Sequence, residues 1–189
     1  WYPDLNKARD AFFRSRHVYD GVVPASTGIG SANQLGTAIA TCAIAFRAKE
    51  PGFLKLTALP SPLQCPALDY GSSFSRAVEL AAPDCRRVFV SGTASIRPDS
   101  HDVAYVGDID AQIECTMRAV EAILESRGMT LRDVTRALCY LKRPEYRAAW
   151  SRWLAKEGLP PGYAVAIVAD VCRDAWLFEI EVDAVKEIT

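Results

Sequence analysis

Ile109, Ile113, Met117, Val120 and Leu124 recur at spacings of three and four residues, which lines them up along one side of a helix. Asp108 precedes this stripe as an N-cap and Gly128 follows it as a stop, so residues 108–127 are predicted to form a helix with one buried face. Such a helix needs an apolar surface to cover, and the flanking sequence supplies short strands. Residues 75–80 alternate, 87–95 (RVFVSGTAS) are a buried run containing Gly92, and 103–106, 135–142, 163–169 and 176–185 follow. Thr130 and Asp133 stand at capping-box spacing, and residues 145–156 read as a second helix. From residue 70 the order is β-β-(β)-α-β-α-β-β. That order predicts an α+β layer, a mixed sheet with two helices on one face.

The earlier part of the chain is less regular. Residues 4–16 read as a helix, with Asp4 as N-cap after Pro3 and with Leu5, Ala8, Phe12 and Phe13 near one side. A Gly/Ser/Thr-rich stretch covers 21–32, a β-type apolar run covers 37–47, and 50–52 is a turn. Pro60, Pro62 and Pro66 break any helix in 53–69 and suit a linker or an edge strand. A weak internal repeat is visible. Helix, then Pro24 to Gly28, then an apolar strand through Ala43 parallels helix, then Pro161 to Val165, then the strand holding Glu179. On that reading residues 1–52 are the C-terminal half of a first copy, 53–69 join it to the rest, and 70–189 are a complete domain.

Composition narrows the function classes. The 189 residues carry 22 Lys+Arg against 23 Asp+Glu, a net charge of −1, which gives no electrostatic footprint for nucleic acid. Arg14, Arg16 and His17 cluster, but Asp10 and Asp20 flank them. No apolar run reaches the roughly 18–20 residues of a membrane span. The six cysteines include no C-x-x-C pair and the two histidines are far apart, so no metal or cofactor site is expected. Scattered free cysteines without a signal segment predict a reducing, cytoplasmic setting. Thr27-Gly28-Ile29-Gly30 lacks the G-x-G-x-x-G spacing of a phosphate loop.

The run VSGTAS, then GDIDAQIECTMRAVEAILESRGMTLRDVTRALCYLK, then LFEIEVDAV resembles the Rid family, also called YjgF/UK114. The resemblance covers about residues 70–187. It implies a chorismate-mutase-like α+β fold, with trimer-like self-association and clefts between subunits. Within that superfamily the chain resembles the chorismatases, tandem Rid-like proteins formerly called pteridine-dependent dioxygenases. The segments are VPASTGIG (23–30), DYGSSFSRA (69–77), SGTASI (91–96) and ADVCRDAWLFEIE (169–181). This resemblance implies removal of the enolpyruvyl group of chorismate as pyruvate. One branch yields a dihydroxycyclohexadiene carboxylate and the other 3-hydroxybenzoate.

Glu179 is the first candidate catalytic residue. Alternation places it with Leu177 and Glu181 on one face of an otherwise apolar strand. A carboxyl in an apolar cleft stays neutral and can act as a general acid, whereas on an open edge it is merely solvated. The resemblance makes Glu179 the proton donor to the enolpyruvyl methylene. It makes Cys172 the mark of the 3-hydroxybenzoate branch, where an ionised thiol would attack; the alternative is an inert buried Cys. Arg152, between Trp150 and Trp153, is implied as a carboxylate anchor, or is an exposed Arg with its stem on Trp. Gly92 is implied to line the cleft, or marks a bulge. Tyr163 is the remaining substrate-binding candidate, standing where Rid deaminases carry a carboxylate-binding Arg. The chorismatase pattern Asn-Pro-Arg-Gln is here Ser61-Pro62-Leu63-Gln64, so Leu63 replaces a substrate-gripping Arg. Three functions follow: a chorismatase-like enzyme on a small-molecule substrate, a Rid-type imine deaminase, or a non-catalytic small-molecule binder.

Overall fold

The structure is a computed structural model describing residues 1–188. Helix α1 (Tyr2–Ser15) is followed by strands β1 (Lys55–Leu59), β2 (Ala77–Ala81) and β3 (Cys85–Ala94). Helix α2 (Ile109–Glu125), β4 (Val134–Leu141), α3 (Arg147–Lys156), β5 (Val165–Val168) and β6 (Phe178–Glu187) complete the chain. The six strands form one sheet in the order β1-β2-β3-β6-β4-β5, antiparallel except for the β4–β5 pair. The fold is the expected α+β layer.

Alternation on β6 decides which face is covered. Phe178, Ile180, Val182 and Ala184 are fully buried with Ile113, Met117, Val120 and Leu124 of α2 and Trp150 and Leu154 of α3. Burying about 25 cal/mol per Å² of apolar surface is what holds both helices to this face. Glu179, Glu181 and Asp183 take the opposite face. Local signals set the helix ends. The Asp108 carboxylate accepts from Ala111 N, and Thr130 and Asp133 form a reciprocal capping box ahead of β4.

Strand β3 carries one extra residue relative to β6. Val90 is opposite Val182, but Thr93 is opposite Ile180 and Ala94 opposite Glu179. The bulge at Ser91–Gly92 therefore switches which side chains of β3 face the helices, and turns Ala94 toward the open face.

Residues 24–30 run across that open face. Ser75 N donates to Pro24 O (3.0 Å), Ser26 N to Ser91 Oγ (2.9 Å) and Gly92 N to Thr27 Oγ1 (2.9 Å). Gly30 and Asp170 exchange two backbone bonds of 2.8 Å.

Several expectations need correction. Residues 37–47 form no strand and lie exposed; among the described residues no strand pairs with them. The apolar strand through Ala43 on which the repeat reading relied is thus not formed. Residues 103–106 contribute only a single bridge, Val103 to Ile96. Helix α1 starts earlier than expected, with Trp1 at the cap and Pro3 in the first turn, and Phe12 is 56% exposed. Proline fits a first turn because its missing N–H has no acceptor there.

Candidate active site

β6 carries Glu179 into the middle of the open face, beneath residues 26–28 and the loop joining β5 to β6. Its side chain is 5% exposed, and among the described residues no protein hydrogen bond reaches its carboxyl. Burial pushes the carboxyl up to about 8; Glu181 beside it adds to the rise and Arg76 opposes it. Glu179 is therefore largely protonated at neutral pH.

Gly92 is where the bulge meets this carboxyl. A Cβ on Gly92 would lie 2.1 Å from Glu179 Oε1 and 2.8 Å from Thr27 Cγ2. Glycine is needed here for close approach, since its φ is not in the left-handed region. Gly92 thus sits both in the bulge and on the cavity wall.

Glu179 and Gly92 open onto a small cavity of about 30 Å³. Tyr70, Arg76, Cys172, Arg173 and Trp176 line it from the loops, and Tyr2, Ser26 and Gly28 from the N-terminal segment. Arg76 is 5% exposed. Its Nε donates to Cys65 O (2.9 Å), it lies over the rings of Tyr70 and Phe74, and its buried Nη2 has no partner. Arg173 donates to His101 O (2.5 Å) and lies 4.9 Å from the ring centre of Trp176. Aromatic faces hold both guanidinium groups at low solvation, where they bind carboxylates well.

Three of the five predicted residues, Glu179, Cys172 and Gly92, come together here. The Cys172 thiol is pushed up to about 12, by burial first and by Glu179 second. A thiol raised in this way acts as a nucleophile only once it has been ionised. Arg152 is elsewhere: on the exposed side of α3 it pairs with Asp110 of α2 at 2.8 Å, in the helix layer across the sheet from Glu179. Tyr163 also belongs to the helix side. Its hydroxyl donates to Leu131 O (2.9 Å) and its ring packs on Trp150. Leu63 is exposed and does not line the cavity.

Arg76 and Arg173 are the residues that sequence reasoning missed. Both lie inside segments that carry the chorismatase resemblance, Arg76 in DYGSSFSRA and Arg173 directly after Cys172. An arginine two or three residues from an aromatic, Phe74 before Arg76 and Trp176 after Arg173, was the available signal.

Residues 67–186 match the family model described as endoribonuclease L-PSP. The chain belongs to this family, the Rid superfamily. Its fold is shared with a chorismatase (24% identity, TM-score 0.59), over 69% of this chain and 44% of the other. RidA of Psychrobacter sp. is similar (20% identity, TM-score 0.56, 68% of this chain and 98% of the other). So is Escherichia coli TdcF, solved with bound serine (13% identity, TM-score 0.54, 69% and 98%). The Rid chain described here spans less than half the length of that chorismatase. No curated protein matches the sequence. Among the described residues no helix is long and apolar enough to cross a membrane.

Proposed function

We propose that this Rid protein is a chorismatase-like enzyme that releases pyruvate from chorismate or a related enolpyruvyl ether. The observation that carries the reading is a buried carboxyl, Glu179, sharing one small cavity with a buried guanidinium, Arg76, whose Nη2 has no partner. An enol ether needs a proton on carbon before water can cleave it, and a carboxylic acid still protonated near pH 7 can supply it. Chorismate also carries two carboxylates, which suit two arginines. Arg76 and Arg173 fill that role, so the loss of Arg at Leu63 does not leave the cavity without positive charge.

The steps balance without a cofactor. Glu179 gives its proton to the methylene carbon, making a methyl group and a cation centred on the ether-bearing carbon. Water adds to that carbon and loses a proton to the Glu179 carboxylate. The hemiketal collapses by breaking the bond to the ring oxygen, which takes the hydroxyl proton and leaves as the alcohol, and pyruvate departs. Cys172 borders the ring. If the thiol stays protonated through turnover, the product is the dihydroxycyclohexadiene carboxylate. Formation of 3-hydroxybenzoate would need the thiol proton to leave during turnover.

The test is pyruvate release from chorismate, read by coupling to lactate dehydrogenase. Wild type is expected to release pyruvate and Glu179→Gln to lower the rate by about 100-fold or more. Folded wild-type protein that releases none overturns the reading. Chorismate binding without release then points to a non-catalytic binder, and ammonia from imines to a Rid-type deaminase.

A further inference from the structure

Behind the cavity wall, Cys65 Sγ is in direct hydrogen-bond contact with His101 Nδ1. Cys65 lies in the loop after β1 and His101 in the loop after β3, and both are half-buried. Neither lines the cavity, and the chemistry proposed above uses neither. Each nevertheless holds one of its arginines through a main-chain carbonyl: Cys65 O accepts from Arg76 Nε (2.9 Å) and His101 O from Arg173 Nη1 (2.5 Å). The His101 ring also packs on Tyr70 with centroids 5.0 Å apart, and Tyr70 lies under both guanidinium groups.

We propose that Cys65 and His101 form a thiol–imidazole pair that reacts with hydroperoxides, and that oxidation of Cys65 loosens both arginines of the cavity. The site is a modification site that tunes anion binding, whichever anion the cavity takes. Chemistry and geometry both single out Cys65. The imidazole nitrogen in contact with the sulfur is placed to accept the thiol proton as the sulfur attacks, the arrangement of a nucleophile beside its base. Elsewhere, burial raises the thiols of Cys85, Cys115, Cys139 and Cys172, which keeps them protonated. Cys42 is exposed and has no hydrogen-bonded histidine, so it serves as an internal reference.

The oxidation step is a two-electron exchange. The thiolate sulfur attacks one peroxide oxygen, the O–O bond breaks and an S–OH bond forms. Sulfur is oxidised to a sulfenic acid and the peroxide is reduced. The departing hydroxide takes the proton from the imidazolium and leaves as water, and His101 returns to its neutral form. The new oxygen must fit where sulfur and ring nitrogen now touch, so the ring has to move. His101 sits at φ +61°, a conformation few residues hold without support from their neighbours. The ring packs on Tyr70, so its displacement reaches the aromatic face that lies under both guanidinium groups.

The first experiment treats the full chain with hydrogen peroxide in the presence of dimedone and follows each cysteine peptide by mass spectrometry. Cys65 is expected to be labelled at least tenfold faster than Cys42, and His101→Asn, which tolerates positive φ, to remove that advantage. Equal rates in wild type overturn the pair on their own, whether or not the variant folds; an unchanged Cys65 rate in a folded variant does so too. The second experiment follows the arginine Nε–H signals by NMR, assigned with Arg76→Lys and Arg173→Lys. Both signals are expected to move after peroxide and to stay in place in Cys65→Ser. Signals that do not move in an oxidised wild type overturn the link to the arginines.

Discussion

Glu179 and Glu181 stand two residues apart on one strand face and meet different environments. Glu181 accepts from Arg136 at 2.8 Å, and the same guanidinium binds Asp183 at 2.7 Å. Glu179 has no such partner and is held neutral by burial, at about 8 against an ordinary 4.5. A folded-state value raised in this way has a fixed sign. Between about 4.5 and 8 the native state keeps a proton that the unfolded chain has lost. Stability therefore falls as pH rises through this window and levels off above it, by at most about 1.4 kcal/mol per pH unit. Urea unfolding of wild type and Glu179→Gln at pH 5 through 9 checks this: the gap between them should shift in favour of the variant by a few kcal/mol, and then stay level. Pyruvate release should fall tenfold per pH unit above about 8, as the acid loses its proton. Gly92→Ala tests the same carboxyl by steric means. Its Cβ would lie 2.1 Å from Glu179 Oε1, so the carboxyl must leave its position. The expected outcome is a loss of about 1–3 kcal/mol in urea unfolding together with loss of pyruvate release.

At the scale of elements, α2 organises the sheet. Its Asp108 cap satisfies Ala111 N, and Asp108→Ala should cost about 1 kcal/mol in urea unfolding while leaving the cavity side chains in place. These features were legible in the sequence because they are local: a cap, a stripe and a stop fall within a few residues of one another. Residues 37–47 were not, because an apolar β-type run becomes a strand only where a neighbour offers unpaired backbone. Here Phe46 packs on the ring of Phe89 with centroids 5.8 Å apart, and the backbone of the run pairs with no strand among the described residues. The site divides in the same way. Alternation on β6 was enough to place Glu179. Helix periodicity puts Arg152 outside the apolar stripe of α3 but does not tell which face of the sheet α3 will cover. The structure sets α3 opposite the cavity, and Arg152 pairs with Asp110. Arg76 and Arg173 reach the cavity from loops separated by almost 100 residues, and no local pattern announces that meeting.

The whole molecule divides its labour between the two faces of one sheet. Every member of the main core, from Leu59 to Ala184, lies beyond the N-terminal segment, and α1 buries no residue fully. The helix face therefore supplies the packing that holds the fold. The first 31 residues serve the other face. Tyr2, Ser26 and Gly28 close the cavity, and residues 24–30 are pinned across the bulge that carries Gly92. Water is thus kept from Glu179 by a segment that the core does not need. Deleting residues 1–31 should leave a folded sheet and helices by circular dichroism, and should return the Glu179 carboxyl from about 8 toward its ordinary value. Titration followed by carbon NMR, with Glu179→Gln to assign the signal, reads that change, and pyruvate release should fall with it. If Glu179 kept its raised value after the deletion, sheet and loops alone would desolvate it, and the N-terminal segment would lose its role as the cover that makes the acid.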